Sequence, residues 1–255
     1  MGLCLVDGYS LDDGGYYLPS AAQRELGKAW NTMKEDNNKI KAKKRVLIVN
    51  GDVVDGVHHN TVALATNNIQ TQESAAVQLL TGLASSYDKV FMTRGTEAHV
   101  GSSGQSEERV AKAVGAEKHP DTGNHASWQW WFDVDGFVLN VAHHIGTTSS
   151  AAYESSAVMR EMVAALVEAG QWEQRMPDIL VRSHRHRYIE LAIPSSKGKI
   201  IALVTPGWQL RTPFVERIDR MRLPHIGCIN LLFKDNSCQV KEKIFPFQKT
   251  MMVSI

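Results

Sequence analysis

Apolar and polar positions along this chain follow two rhythms in turn, one of helices and one of strands. After Ser20 the residues Leu26, Ala29, Trp30 and Met33 recur at three- and four-residue steps, which places them on one face of a helix. Ser20 and Gln23, just after Pro19, form a capping box that starts it, and the basic run KIKAKKR ends it. RVLIV (45–49) is a short apolar run closed by turn formers and reads as a buried strand. A second helix is predicted over 73–86 with Val77, Leu80 and Leu83 on one face. KVFMT (89–93) is the next strand, and SEERVAKAVG is a short helix stopped by Gly115. In SWQWWFDVDGFVLNVAHH, Trp128, Trp130, Phe132 and Val134 alternate up to an Asp135-Gly136 turn, the pattern of a hairpin. A helix over 153–169, closed by Gly170, leads to the strand DILVR (178–182). Then come the strands YIELAI and KIIALVT, and a last hairpin, IGCINLLF with CQVKEKIF, turning at Lys234-Asp-Asn-Ser. Helices alternate with strands early and hairpins dominate late, so the fold class is α/β with mixed sheets flanked by helices.

Composition bounds the function classes. The 255 residues, 43% of them hydrophobic, suffice for a full core and read as one domain over 1–255. Lys and Arg number 28 against 27 Asp and Glu, a formal charge of +1, so the charge balance does not indicate a nucleic-acid partner, although a small charged substrate fits. The basic run RIDRMR (217–222) reads as a solvated helix face. Cys4, Cys228 and Cys238 match neither a disulfide framework nor a zinc knuckle and read as packing residues in a reducing compartment. No apolar run approaches the roughly 18 residues of a membrane span. MGLCLVDGYS lacks a basic signal-peptide start, and Val6 breaks the myristoylation pattern. A soluble, cytoplasmic protein is expected.

The chemistry sits at strand ends. RVLIV runs into Asn50-Gly-Asp52, KVFMT into Gly95-Thr-Glu97-Ala-His99, FVLNVA into His143-His144, and DILVR into His184-Arg-His186. In open α/β sheets ligands bind in the crevice at the carboxyl ends of strands, so four such tips can meet. Carboxylate oxygen with imidazole nitrogen suits Mn, Fe, Zn, Ni or Co.

Gly-Asp-x-x-Asp, a glycine-led loop with a histidine, a strand-terminal histidine and a final His-x-His, in that order, resemble the calcineurin-like metallophosphoesterase superfamily. The likeness covers most of the chain, and residues 2–30 resemble the segment after the first metal motif in phage and bacterial members. The resemblance implies a four-layer αββα sandwich with two mixed β-sheets, holding two divalent ions, Mn foremost, that serve phosphate-ester hydrolysis. By position it implies that Asp52 bridges the ions, that Glu97, His143 and His184 bind one and His186 the other, and that Asp55 orients a proton-donating His99. His144, beside His143, can exchange roles with it, though the apolar strand leads directly to His143. Arg94, Arg182, Arg185 and Arg187 flank the centre and can grip phosphate; each also reads as an ordinary strand-end arginine. Trp208 can wall a substrate pocket or anchor the core.

Two departures shape the expectation. Glu97 stands where the superfamily's loop carries a ligating Asn, and the opening Asp-x-His motif does not occur before Ser20. The chain as written is therefore expected to hydrolyse phosphate esters poorly, with an upstream strand bearing Asp-x-His restoring activity. The rival function is a catalytically silent domain that binds one metal or a phosphorylated partner. Structural zinc is disfavoured because no cysteine neighbours the histidine motifs. Phosphodiester, phosphomonoester and phosphoprotein substrates all stay open.

Overall fold

The computed structural model describes residues 6–58, 64–146, 151–196, 198–218 and 223–247. Cys4 and residues 219–222 of the basic run lie outside the described residues. A two-stranded ribbon opens the chain, β1 (Tyr9–Ser10) with β2 (Tyr16–Tyr17), and is too short to leave a periodic pattern. Helix α1 (Ala21–Lys39) begins at the predicted capping box: the Gln23 amide donates to Ser20 Oγ at 3.3 Å and the Ser20 amide to Gln23 Oε1 at 2.8 Å. Its predicted face is buried, with Trp30 edge-on to Trp208 at 5.0 Å between ring centroids. Trp208 is thus a core anchor.

Strands β3 (Val46–Asn50), β4 (Lys89–Thr93) and β5 (Ala126–Ser127) form a parallel sheet in that order. Helices α2 (Ile69–Ala84), α3 (Glu97–Val100) and α4 (Gln105–Ala113) lie between them in sequence. A second, mixed sheet has the order β6-β7-β8-β10-β9, built from β6 (Gln129–Val134), β7 (Phe137–Ala142), β8 (Ile179–Arg182), β9 (Ile189–Ser195) and β10 (Gly198–Val204). Its centre, β7-β8-β10, is parallel, and antiparallel β6 and β9 close its sides. Every residue of β8 is buried, as a strand covered on both faces requires. Helix α5 (Glu154–Trp172) and the short α6 (Pro213–Ile218) follow β7 and β10, and β11 (Ile226–Lys234) pairs with β12 (Ser237–Phe245) in a final hairpin.

The cores give the layering. Leu26, Trp30 and Met33 of α1, Leu80 of α2 and Val110 of α4 pack on Val49, Val90 and Met92 of the parallel sheet. Leu139, Val141, Ile179, Val181 and Leu203 of the mixed sheet face Ile48 and the β11–β12 residues Ile229, Leu231 and Val240. Val158 and Met162 of α5 cover the opposite face through Leu180, Ala202 and Val204. The result is an αββα sandwich, each fully buried aliphatic contributing roughly 1.5–3 kcal/mol. One β-layer comes in two pieces, since among the described residues no strand pairing joins β3 to the β11–β12 hairpin.

Some boundaries differ from the periodic reading. Helix α2 starts at Ile69, not near residue 73, because Asn68 Oδ1 accepts from the Gln70 and Thr71 amides and caps a polar first turn that shows no apolar period. Helix α5 runs past Gly170 to Trp172 and ends at Glu173 in a left-handed conformation, φ 51°. Both hairpin turns hold: Asp135-Gly136 and Asp235-Asn236 all have positive φ.

Candidate metal centre

Backbone strain marks the site before any side chain does. Among the described residues, positive φ without glycine occurs at hairpin turns, at the end of α5, and at Asp52 (54°), His184 (67°) and His186 (50°). Such conformations cost of order 1 kcal/mol or more and persist where the surroundings hold them, often at functional sites. All three residues are ligands expected from the sequence.

Asp52 follows β3 in one sheet, whereas His143 and His184 follow the adjacent parallel strands β7 and β8 in the other. Their ligand atoms all lie within 4.8 Å of one another. Ligand atoms about 2.1 Å from one ion sit up to about 4.2 Å apart, so small side-chain movements close this group round a cation. His143 Nδ1 lies 2.6 Å from the Asn50 carbonyl oxygen, which can only accept, so Nδ1 carries a proton and, in the neutral ring, Nε2 presents its lone pair. Nε2 is buried, and its one close polar neighbour among the described residues is Asp52 Oδ2, 2.9 Å away, which pairs with the ring when it is protonated. An imidazole nitrogen facing a carboxylate at this distance is satisfied by a proton in the metal-free protein and by a shared cation when one is bound.

Glycines let the loops approach. A Cβ on Gly51 would fall 2.5 Å from His143 Nδ1, and one on Gly95 would fall 2.1 Å from Asp52 Oδ1. Thr96 donates to Asp52 Oδ1 from its amide at 2.8 Å, and its hydroxyl is shared between Oδ1 at 3.1 Å and Oδ2 at 3.3 Å, the oxygen that faces the histidines. Across the sheets, Asn50 Nδ2 donates to the Ala142 carbonyl at 3.2 Å and to Ser183 Oγ at 2.7 Å, while Thr93 Oγ1 donates to Asn50 Oδ1 at 2.7 Å.

Electrostatics agree with this geometry. Burial acts to raise the Asp52 carboxyl, but the His143 contact, then the His99 charge and the Thr96 amide, outweigh it and hold the group well below the usual carboxylate range. Burial acts to lower His143, and Asp52 outweighs it in the opposite sense, so His143 is raised. Burial, then the charge of His143, depresses His184 to about 4. Burial chiefly depresses His186, also to about 4, so both rings are neutral near pH 7. Glu107 is fully buried and accepts from the Asp52 and Gly95 amides, each at 2.6 Å. Burial, with the Asp52 charge, pushes it up to about 7.

The other expected residues are placed as follows. Glu97 is exposed at the start of α3 and belongs to neither group of three candidate ligands among the described residues; its neighbour Thr96 makes the contact to Asp52 instead. His144 is exposed with its ring 5.0 Å from that of His184. His186 lies outside the Asp52 group, its ring against Gly207. Asp55 meets His99 through its backbone: its carbonyl oxygen accepts from His99 Nδ1 at 2.7 Å. The carboxylate instead belongs to a second group of possible ligands, Asp55, His58 and His99. Arg94 is engaged by the Ser103 and Ala126 carbonyls and by Glu108, and Arg182 by Glu161 and two carbonyls. Arg187 is engaged by Glu154, and Arg185 lies between the two loop histidines.

Three contributors escaped the sequence reading. His58 follows Asp55 at Asp-x-x-His spacing, which was a usable sign. Glu107 is one turn before Val110 and Ala111 on the apolar face of α4, where an acid needs partners. Asn50 looked like a turn former, and nothing in the sequence marked it as a tie between sheets.

No family profile matches the chain, and no curated protein matches it. Among solved structures it is similar to a novel archaeal phosphodiesterase, 11% identical over 88% of this chain and 94% of that one, at a TM-score of 0.44. It is also similar to a Thermotoga maritima protein solved in solution, 11% identical over 79% and 99% of the two chains, at 0.37. A hypothetical protein from Thermus thermophilus is 12% identical over 79% and 98%, also at 0.37. Likenesses this distant do not support a functional reading, which rests on the chain's own residues.

Proposed function

We propose that the chain is a metal-dependent hydrolase of phosphate esters whose reaction centre is the Asp52, His143 and His184 group. The observation that carries this reading is the convergence, from two different sheets, of buried His143 Nε2 and Asp52 Oδ2, 2.9 Å apart, with the neutral ring of His184 closing the group. One carboxylate and two imidazoles suit a divalent first-row metal such as Mn, Fe, Zn or Co. Three protein ligands leave coordination positions open to water and substrate, the arrangement of catalytic sites rather than structural ones. The motif order resembling metallophosphoesterases supplies the substrate class.

When bound, a divalent ion there would make water acidic near neutral pH and offset charge on a phosphoryl group. The protein's own residues set that up. Asn50 holds His143 in one tautomer, Thr96 fixes the Asp52 carboxylate, and Glu107 ties the Asp52 and Gly95 loops together. The resemblance gives His99 the protonation of the leaving alkoxide. That role requires a proton on Nε2, because Nδ1 donates to the Asp55 carbonyl.

The experiment is hydrolysis of an aryl phosphodiester and an aryl phosphomonoester by metal-stripped protein, with and without added Mn, Zn or Co. Slow metal-dependent turnover, as a chain lacking the Asp-x-His motif should give, is expected, and Asp52→Asn and His143→Ala are expected to abolish it. Metal binding without turnover of either ester would replace this reading with that of a silent binding domain, and turnover insensitive to both substitutions would move the centre elsewhere.

A further inference from the structure

We propose that the indole of Trp128, backed by the Arg94 guanidinium, is the platform on which a planar aromatic ring of the phosphate ester stacks. The inference rests on the hydrolase reading and adds a substrate class to it: esters whose alcohol carries a nucleobase or an aryl ring.

Strand register places Trp128 beside the centre. β6 and β7 pair antiparallel with Trp130 opposite Val141 and Gln129 opposite Ala142. One residue further, just past both strands, Trp128 comes level with His143. Alternation puts these two on the side of Trp130 and Val141. That side faces the parallel sheet, since Val141 joins the core between the sheets and Trp130 Nε1 donates to the Met92 carbonyl at 2.8 Å. At the open end, His143 reaches the carbonyl of Asn50, which ends β3, and the Trp128 ring centroid lies 5.5 Å from Cζ of Arg94, which follows β4. Both side chains thus meet the sheet that carries Asp52. Arg94 itself leads into Gly95 and Thr96, the turn that presses on the Asp52 carboxylate.

The ring is held in place and still open. The Arg94 amide donates to the Ser127 carbonyl at 2.8 Å, and Ser127 Oγ donates to the Gln129 carbonyl at 2.8 Å, so the backbone is tied on both sides of Trp128. Behind the ring the guanidinium is fixed by the Ser103 carbonyl at 2.8 Å, the Ala126 carbonyl at 3.2 Å and Glu108 at 3.6 Å. Trp128 is nevertheless 53% exposed, so with one face on a cation the opposite face stands toward solvent. Trp30, Trp130 and Trp208, which serve the core, are all buried. Trp131 is exposed too, but it alternates to the other face of β6. A fixed indole offers a flat apolar surface that needs no ordering when a ring or a base stacks on it. One such platform on a chain of formal charge +1 fits a small ester and not a long polyanion.

The test is equilibrium dialysis of the full chain, with Mn added, against adenosine monophosphate, phenyl phosphate and ribose phosphate, with circular dichroism of each variant. At least one of the two ring-bearing esters is expected to bind at least about fivefold more tightly than ribose phosphate. Which of the two is tighter distinguishes a nucleobase from an aryl ring. Trp128→Phe, which keeps a ring, is expected to retain most of that preference, and Trp128→Leu, which keeps only apolar bulk, to lose it. No preference in the wild type, or one that is unchanged in folded Trp128→Leu, would overturn the proposal. Ester turnover with no such preference would overturn it and leave the hydrolase reading standing. A Trp128-dependent preference with no turnover of any ester would support the platform and overturn the hydrolase reading, and no binding of any of the three phosphates would overturn the platform.

Discussion

Thr96 and Glu97 exchange importance once side chains are placed. The resemblance made Glu97 a ligand because it stands where the superfamily's loop carries a ligating Asn, but Glu97 is exposed while the Thr96 amide and hydroxyl both reach Asp52. Glu97→Gln is therefore expected to leave metal affinity within about twofold, whereas Thr96→Val, which removes one of two donors orienting Asp52, is expected to weaken it about tenfold. Dialysis of the two variants checks this, and the opposite order would restore Glu97 as a ligand. Glu107 acts at the same scale. Glu107→Gln turns an amide donor toward either the Asp52 or the Gly95 N–H, and is expected to cost roughly 1–3 kcal/mol in urea unfolding of the metal-free protein. A cost near zero would mean that the carboxylate does not hold the two loops. Asp52, His143 and His184 were legible because polar, metal-competent residues at the ends of apolar strands stand out. Glu107 and Asn50 were not, because their worth lies in partners remote in sequence.

Elements were legible in proportion to their periodicity. The amphipathic face of α1 and the alternation of β6 with its Asp135-Gly136 turn could be read directly, because a buried stripe forces its own spacing on the sequence. The start of α2 could not, since Asn68 and the polar residues after it are chosen for hydrogen bonding and not for burial. Asn68→Ala is accordingly expected to destabilise the protein by about 0.5–2 kcal/mol; a neutral effect would place the working start of the helix nearer residue 73. The β11–β12 hairpin settles what Cys228 and Cys238 do. Burial pushes both thiols up to about 11, so at pH 8 their thiolate fraction is about a hundredfold below that of an ordinary cysteine. Alkylation in a Cys4→Ser background should be correspondingly slow at pH 8 and accelerate toward pH 11; rapid labelling at pH 8 would show that the hairpin opens.

At the scale of the whole molecule, the centre is a joint between two sheets that share no strand pairing among the described residues. Asp52 extends from the parallel sheet, His143 and His184 from the mixed one, and Asn50 spans the gap through Ala142 and Ser183. The apolar layer between the sheets is non-directional and fixes their separation better than their relative slide; directional bonds at the strand ends must fix the slide. A cation bound by both sides would add to those bonds. Metal that binds only the folded state stabilises it by about 2.7 kcal/mol at 100 times its Kd, wherever the site lies. What depends on location is the distribution of that gain. Hydrogen exchange of the metal-stripped and metal-loaded protein should therefore slow together at residues 50–53 and 182–184, ends of strands in different layers, and change little in the last turns of α5, remote in sequence from every ligand. Asn50→Ala should weaken metal binding about 10- to 100-fold, although Asn50 is not itself a ligand, because the tie that sets the spacing of the ligands is gone. Slowing confined to one sheet, or unchanged affinity in Asn50→Ala, would show that the ion belongs to a single loop and not to the joint.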